Sequence, residues 1–131
     1  MQNHTHFLGK FVTVLLLFAT QISSAQPANP QDAAAIRGFA IMQDQRTGNC
    51  VACHSVPDAR GKTTGIQSTF APPLQGVGAR YSSKMLSAWV VDARQLNPQT
   101  LMPPFGKDLG NGRLLNDAQI ADVLAALARL Q

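Results

Sequence analysis

The sequence predicts an all-α domain, and three observations predict it. Apolar residues recur at helical spacing in three stretches, around residues 30–43, 82–93 and 116–130. The stretches between them are broken by proline and glycine. No run alternates apolar with polar residues as a half-buried strand would, and no repeat or low-complexity tract appears.

The first element expected is a removable one. His4, His6 and Lys10 precede the apolar run Phe11-Val12-Thr13-Val14-Leu15-Leu16-Leu17-Phe18-Ala19, and Ser23-Ser24-Ala25 supplies small residues for cleavage. This is the pattern of a secretory signal over residues 1–25, which leaves one small domain over residues 26–131. The apolar run falls short of the roughly 20 residues that span a bilayer, so no stable membrane insertion is expected, although retention as an uncleaved anchor stays open.

Pro30 followed by Asp32 marks the start of the first helix, with Ile36, Phe39, Ala40 and Met42 as its apolar side up to Gln43. Residues 57–71 show neither period and read as a loop. Met85, Leu86, Trp89, Val90 and Ala93 form one face of a middle helix over residues 82–93. Asn97-Pro98, Pro103-Pro104, Gly106, Gly110 and Gly112 make the following stretch irregular. The last helix is the clearest: Asn116 caps it, Gln119 completes a capping box, and Ile120, Val123, Leu124, Leu127 and Leu130 line its apolar face.

Between the first helix and the loop lies Cys50-Val51-Ala52-Cys53-His54. C-x-x-C-H is the sequence at which a c-type haem is attached: two thiolates add across the two vinyl groups of one porphyrin, and the next residue presents its imidazole to the iron. One covalently bound haem c, held by Cys50 and Cys53 with His54 on the iron, is therefore expected. Two other chemistries use the same residue types. A zinc site needs four ligands, and with His4 and His6 in the removed segment it would have to draw on carboxylates. A C-x-x-C thiol–disulfide pair, or a structural disulfide, is chemically possible, with nothing else in the chain pointing to it.

A His-ligated iron in an electron-transfer protein takes a second protein ligand, commonly Met or His. Met42 is too close in sequence to circle a porphyrin, and Met85 reads as core packing. Met102 sits in Asn97-Pro98-Gln99-Thr100-Leu101-Met102-Pro103-Pro104, where the prolines favour extended backbone, and is the expected sixth ligand. The second ring N–H of His54 needs an acceptor. Pro72, in Ala71-Pro72-Pro73-Leu74, is expected to supply it through its carbonyl, with Leu74 packed on the ring. Arg80, Tyr81 and Trp89 are candidates for hydrogen bonds to the propionates, against ordinary surface or core duty. Helices at both ends, an early C-x-x-C-H and a long irregular return make the architecture of a class I cytochrome c, terminal helices packed together around one haem. The chain carries 11 Lys and Arg against 7 acidic residues, all Asp, for a net charge of +4. With no run of basic residues, nucleic acid is not implied; a modest positive field suits an acidic protein partner.

Gly48-Asn49-Cys50-Val51-Ala52-Cys53-His54, Ala71-Pro72-Pro73-Leu74, Gly76-Val77-Gly78-Ala79-Arg80-Tyr81, Asn97-Pro98-Gln99-Thr100-Leu101-Met102-Pro103-Pro104-Phe105-Gly106 and Gln119-Ile120-Ala121-Asp122-Val123 together resemble the SoxX family of cytochromes. The likeness spans nearly all of residues 26–131. C-x-x-C-H alone specifies a c-type cytochrome; the other segments narrow it to SoxX. The resemblance implies a periplasmic monohaem subunit paired with a SoxA-type cytochrome in a heterodimer that acts as an L-cysteine S-thiosulfotransferase. That complex joins thiosulfate oxidatively to a cysteine of a SoxYZ-type carrier protein, and its electrons pass to a downstream acceptor cytochrome. It also implies Cys50 and Cys53 as attachment points, with His54 and Met102 as axial ligands. No thiol is then left for sulfur chemistry on this chain, whose own task is electron transfer. A free-standing monohaem shuttle is the alternative. Ala71 stands where the family usually has glycine, and Ala126 where the last helix often carries an aromatic residue; either is expected to loosen the contact between the terminal helices.

Overall fold

The computed structural model describes residues 29–131 apart from Ala59, Thr64 and Ile66. The expected signal over residues 1–25 lies outside the described residues. Four α-helices follow in order: α1 (Pro30–Gln43), α2 (Val77–Arg80), α3 (Ser83–Asp92) and α4 (Asp117–Arg129). Two 3-10 turns join them, Cys50–Ala52 and Ala93–Gln95. Among the described residues there is no strand, and no helix is long and apolar enough to cross a membrane.

Local chemistry sets the helix ends. Asn29 caps α1, with Pro30 at the first helical position, where its missing N–H costs nothing. Ser82 accepts from the Met85 amide at the start of α3. Asn116 and Gln119 exchange the two bonds of a capping box at α4, 2.9 and 3.0 Å long. The sequence did not reveal α2, four residues placed where Gly76 turns the chain at positive φ.

The terminal helices α1 and α4 make the largest helix–helix contact. Their crossing is tight at Gly38, where a Cβ would stand 2.0 Å from the Asp122 carbonyl oxygen and 2.8 Å from Ala126 Cβ. Ala126 is fully buried there. A small residue at 126 thus accompanies close contact, and the loosening expected from Ala126 is corrected. Arg37 grips Asp122 through two bonds of 2.8 and 2.7 Å, and Arg129 pairs with Asp32, so both ends of the crossing carry an ion pair.

The inward face of α1 is Ala35, Gly38, Phe39 and Met42, an i, i+3, i+4, i+7 stripe. Phe39 and Met42 are buried as expected, but Ile36 and Ala40 are exposed. On α3, Leu86 and Val90 enter the core and Met85 does not: it is 39% exposed, which corrects its reading as packing. Ile120, Val123 and Leu127 of α4, with Leu130 just past its end, close the core against Phe39, Val56, Phe105 and Leu115.

Candidate functional site

A cavity of about 760 Å³ opens on one side of the α1–α4 pair. All of the chemistry-bearing residues singled out in the sequence line it: Cys50, Cys53, His54, Pro72, Leu74 and Met102. Arg80, Tyr81 and Trp89 line it too. Most of the rest of the wall is apolar and every helix contributes to it, with Met42 from α1, Val77 from α2, Leu86 and Val90 from α3, and Val123 and Leu127 from α4; Thr47, Asn49, Asn97 and Thr100 add polar groups.

The cysteine motif is folded onto one turn. The amides of Cys53 and His54 both donate to the Cys50 carbonyl, at 3.2 and 2.8 Å, so His54 leaves the turn directly beside the two sulfurs. Asn49 enters that turn in the left-handed region at φ 45°, which a short polar side chain tolerates better than most. Gly48 donates to the Ile41 carbonyl and ties the turn to the end of α1.

Residues 68–74 run beside this motif. Three backbone bonds hold them there: Ser68 to Val51, Ala71 to Cys53 and Leu74 to Ser55, with the later residue donating each time. The last two straddle Pro72, whose carbonyl oxygen lies 2.6 Å from His54 Nδ1. A carbonyl can only accept, so the His54 proton sits on Nδ1 and the lone pair on Nε2 is free. Gln67 adds a brace by bonding both the amide and the carbonyl of Val56.

Met102 is half-buried against the core. Its amide donates to the Thr100 hydroxyl at 3.2 Å, and the Thr100 amide donates to the Asn97 carbonyl at 3.0 Å. Met42 is fully buried and reaches the same cavity, a neighbourhood that sequence distance alone did not reveal. Phe70, Leu101 and Leu114 rim the opening as exposed apolar side chains. Of the propionate candidates, Arg80 already spends one N–H on the Gln75 carbonyl at 2.7 Å.

These residues fit a haem. The cavity is apolar-walled and of ligand size, two thiols stand on one turn at its edge, and an imidazole with a free Nε2 and a thioether share the wall. They suit the other chemistries poorly. Thiol–disulfide exchange works through a thiolate, whereas burial pushes the Cys50 thiol up to about 11. Cys50 and Cys53 are not joined in a disulfide. Among the described residues no three His, Cys, Asp or Glu side chains gather as a metal site, which zinc would need.

The cytochrome c family profile matches residues 35–131. The structure is similar to a chain in the crystal structure of SoxXA from P. pantotrophus, with a TM-score of 0.62 and 33% sequence identity over 81% of this chain and 84% of that one. No curated protein matches the sequence.

Proposed function

The chain belongs to the cytochrome c family as a SoxX-type electron-transfer cytochrome, and we propose that it is the monohaem electron-transfer subunit of a periplasmic SoxAX-type complex. In this reading residues 1–25 direct export and are removed, and the domain over residues 26–131 carries one haem c. Cys50 and Cys53 would hold it by thioether bonds, His54 Nε2 and the Met102 sulfur would serve as its iron ligands, and Leu74 would pack on the ring. Haem c, when bound, supplies a one-electron ferric/ferrous couple whose potential a thioether ligand raises.

The observation that carries the reading is that one cavity gathers both thiols, an imidazole with its Nδ1 proton held by the Pro72 carbonyl, and Met102. Each residue has a distinct task. The Pro72 carbonyl fixes the tautomer of His54 and so leaves Nε2 as the ring nitrogen able to bind iron. With haem bound, the largely apolar wall from all four helices would keep water from it. With His54 and Met102 both ligating iron, the chain would leave no position open for substrate, and with both thiols used in attachment it would have no nucleophile for sulfur. Thiosulfate chemistry then belongs to a SoxA-type partner, on a SoxYZ-type carrier cysteine, and this chain receives the electrons and passes them to an acceptor cytochrome.

Affinity purification of the C-terminally tagged chain from its native periplasm, followed by haem staining of denatured bands and intact mass, tests attachment and partnership together. A stained band of this chain with a stoichiometric second cytochrome supports the proposal. A single stained band points instead to a free-standing shuttle, and an unstained band overturns the haem reading.

A further inference from the structure

The segment that carries Met102 leaves α3 and returns to it at one buried carboxylate. Asp92 ends α3 with only 3% of its surface exposed, a position where an ionised carboxyl is costly unless charge and hydrogen bonds compensate it. On the outgoing side its Oδ1 accepts from the backbone N–H and the Nε of Arg94, at 3.3 and 2.7 Å, and its Oδ2 accepts from the Arg94 guanidinium at 3.0 Å. On the returning side Lys107 Nζ lies 3.4 Å from Oδ2. Both cations therefore converge on one side chain.

The backbone repeats the arrangement. Arg94 belongs to the 3-10 turn Ala93–Gln95, and the amides of Leu96 and Asn97 fold back onto the Ala93 carbonyl. One residue before Lys107, the Gly106 amide donates to the Val91 carbonyl at 3.1 Å. The chain passes so close here that a Cβ on Gly106 would stand 3.2 Å from Val91 Cα. Residues 95–106 are thus a compact loop with adjoining ends. Met102 lies inside the loop, and Asp92, Arg94 and Lys107 stand outside the cavity wall.

We propose that Asp92 is a positioning residue for Met102: by gripping Arg94 and Lys107 together it closes the loop and keeps the thioether in the cavity wall. The inference rests on Met102 being the sixth ligand. A loop clamped at both ends by one carboxylate opens as a unit, and releasing either cation raises the open fraction. Any ligand that competes with Met102 then binds more tightly in proportion to that fraction.

Imidazole is such a competitor, and titrating it into the ferric holoprotein at neutral pH reads the open fraction without any activity assay. Asp92→Asn keeps the shape and an oxygen for the Arg94 amide but removes the charge. We expect it to bind imidazole about tenfold more tightly than the wild type, with a weaker iron–thioether charge-transfer band at the red end of the spectrum. Lys107→Met, at a half-exposed position, should act in the same direction, and Lys107→Arg should restore wild-type behaviour. Where Asp92→Asn fails to fold, the lysine pair decides the question. A lowered melting temperature with unchanged imidazole affinity and band would overturn the proposal and leave Asp92 a general stabiliser of α3. Met102→Ala serves as the control: a band that survives in it removes Met102 from the iron and the proposal with it, whereas a lost band with inert clamp variants rejects the clamp alone.

Discussion

Two thioethers reach the cavity, and backbone context separates them. Met42 is wholly buried on a helix whose neighbours are core residues, and its sulfur is part of that packing. Met102 is half-buried on a loop held by hydrogen bonds through Thr100 and Asn97, which leave its side chain free of packing duty on one side. Met102→Ala should abolish the ferric charge-transfer band while leaving a covalently stained haem, since Cys50 and Cys53 are untouched. Met42→Leu, a swap of nearly equal volume, should keep the band and cost less than about 1.5 kcal/mol of stability in denaturant unfolding. The reverse pattern would exchange their roles. The candidate residues could be named from the sequence because C-x-x-C-H has a fixed spacing and elimination leaves few ligands; the structure adds that they line one cavity. The rest of the wall was not legible: Met42, Leu86, Phe105 and Leu115 meet there only through tertiary packing.

At the scale of elements, the α1–α4 crossing and the end of α3 respond to different variables. Gly38→Ala improves helix propensity by about 1 kcal/mol. It also places a methyl 2.0 Å from the Asp122 carbonyl, a backbone atom that yields only if the helices part. Overpacking costs about 1–3 kcal/mol and lies toward the upper end against backbone, so a net loss of about 2 kcal/mol is expected in chemical denaturation. A neutral or stabilised variant would mean that the helices part freely. Asp92 responds to acid. The Arg94 guanidinium, with Lys107 behind it, draws its carboxyl from an ordinary 3.8 down to about 2, against the opposing effect of burial. A depressed carboxyl contributes stability that is complete above its unfolded value and is lost as pH falls through the folded one, so the loss belongs between about pH 4 and pH 2. Asp92→Asn should flatten the stability–pH curve in that window. It should not remove the slope, because Asp58 is also lowered, by the amides of Lys62 and Arg60. Helix ends were legible wherever a cap sits beside the helix in sequence, as at Asn116 and Gln119. The face of α1 was partly misjudged because Ile36 looks like core and only the partner helix selects Ala35 and Gly38 instead. Nothing local marks α2, four residues between glycine and tyrosine.

At the scale of the whole molecule, the core and the cavity share their side chains. Val77, Leu86, Val90, Phe105, Leu115, Val123 and Leu127 belong both to the buried cluster and to the wall of the 760 Å³ cavity. Without a group in that cavity these apolar side chains would face water, a cost to set against a total margin of about 5–15 kcal/mol for a small domain. Haem c, the group that membership of the cytochrome c family implies, would cover these side chains, and folding should depend on it. Cys50→Ala combined with Cys53→Ala removes both attachment points while altering only two half-buried side chains. The double variant is expected to lose near-ultraviolet circular dichroism and a cooperative thermal transition while keeping part of its helical signal, because the caps and the α1–α4 contact are intrinsic to the chain. A native-like spectrum and a sharp transition from the haem-free chain would show that α1 and α4 alone sustain the fold, and that the cavity is a preformed socket rather than a core awaiting its centre.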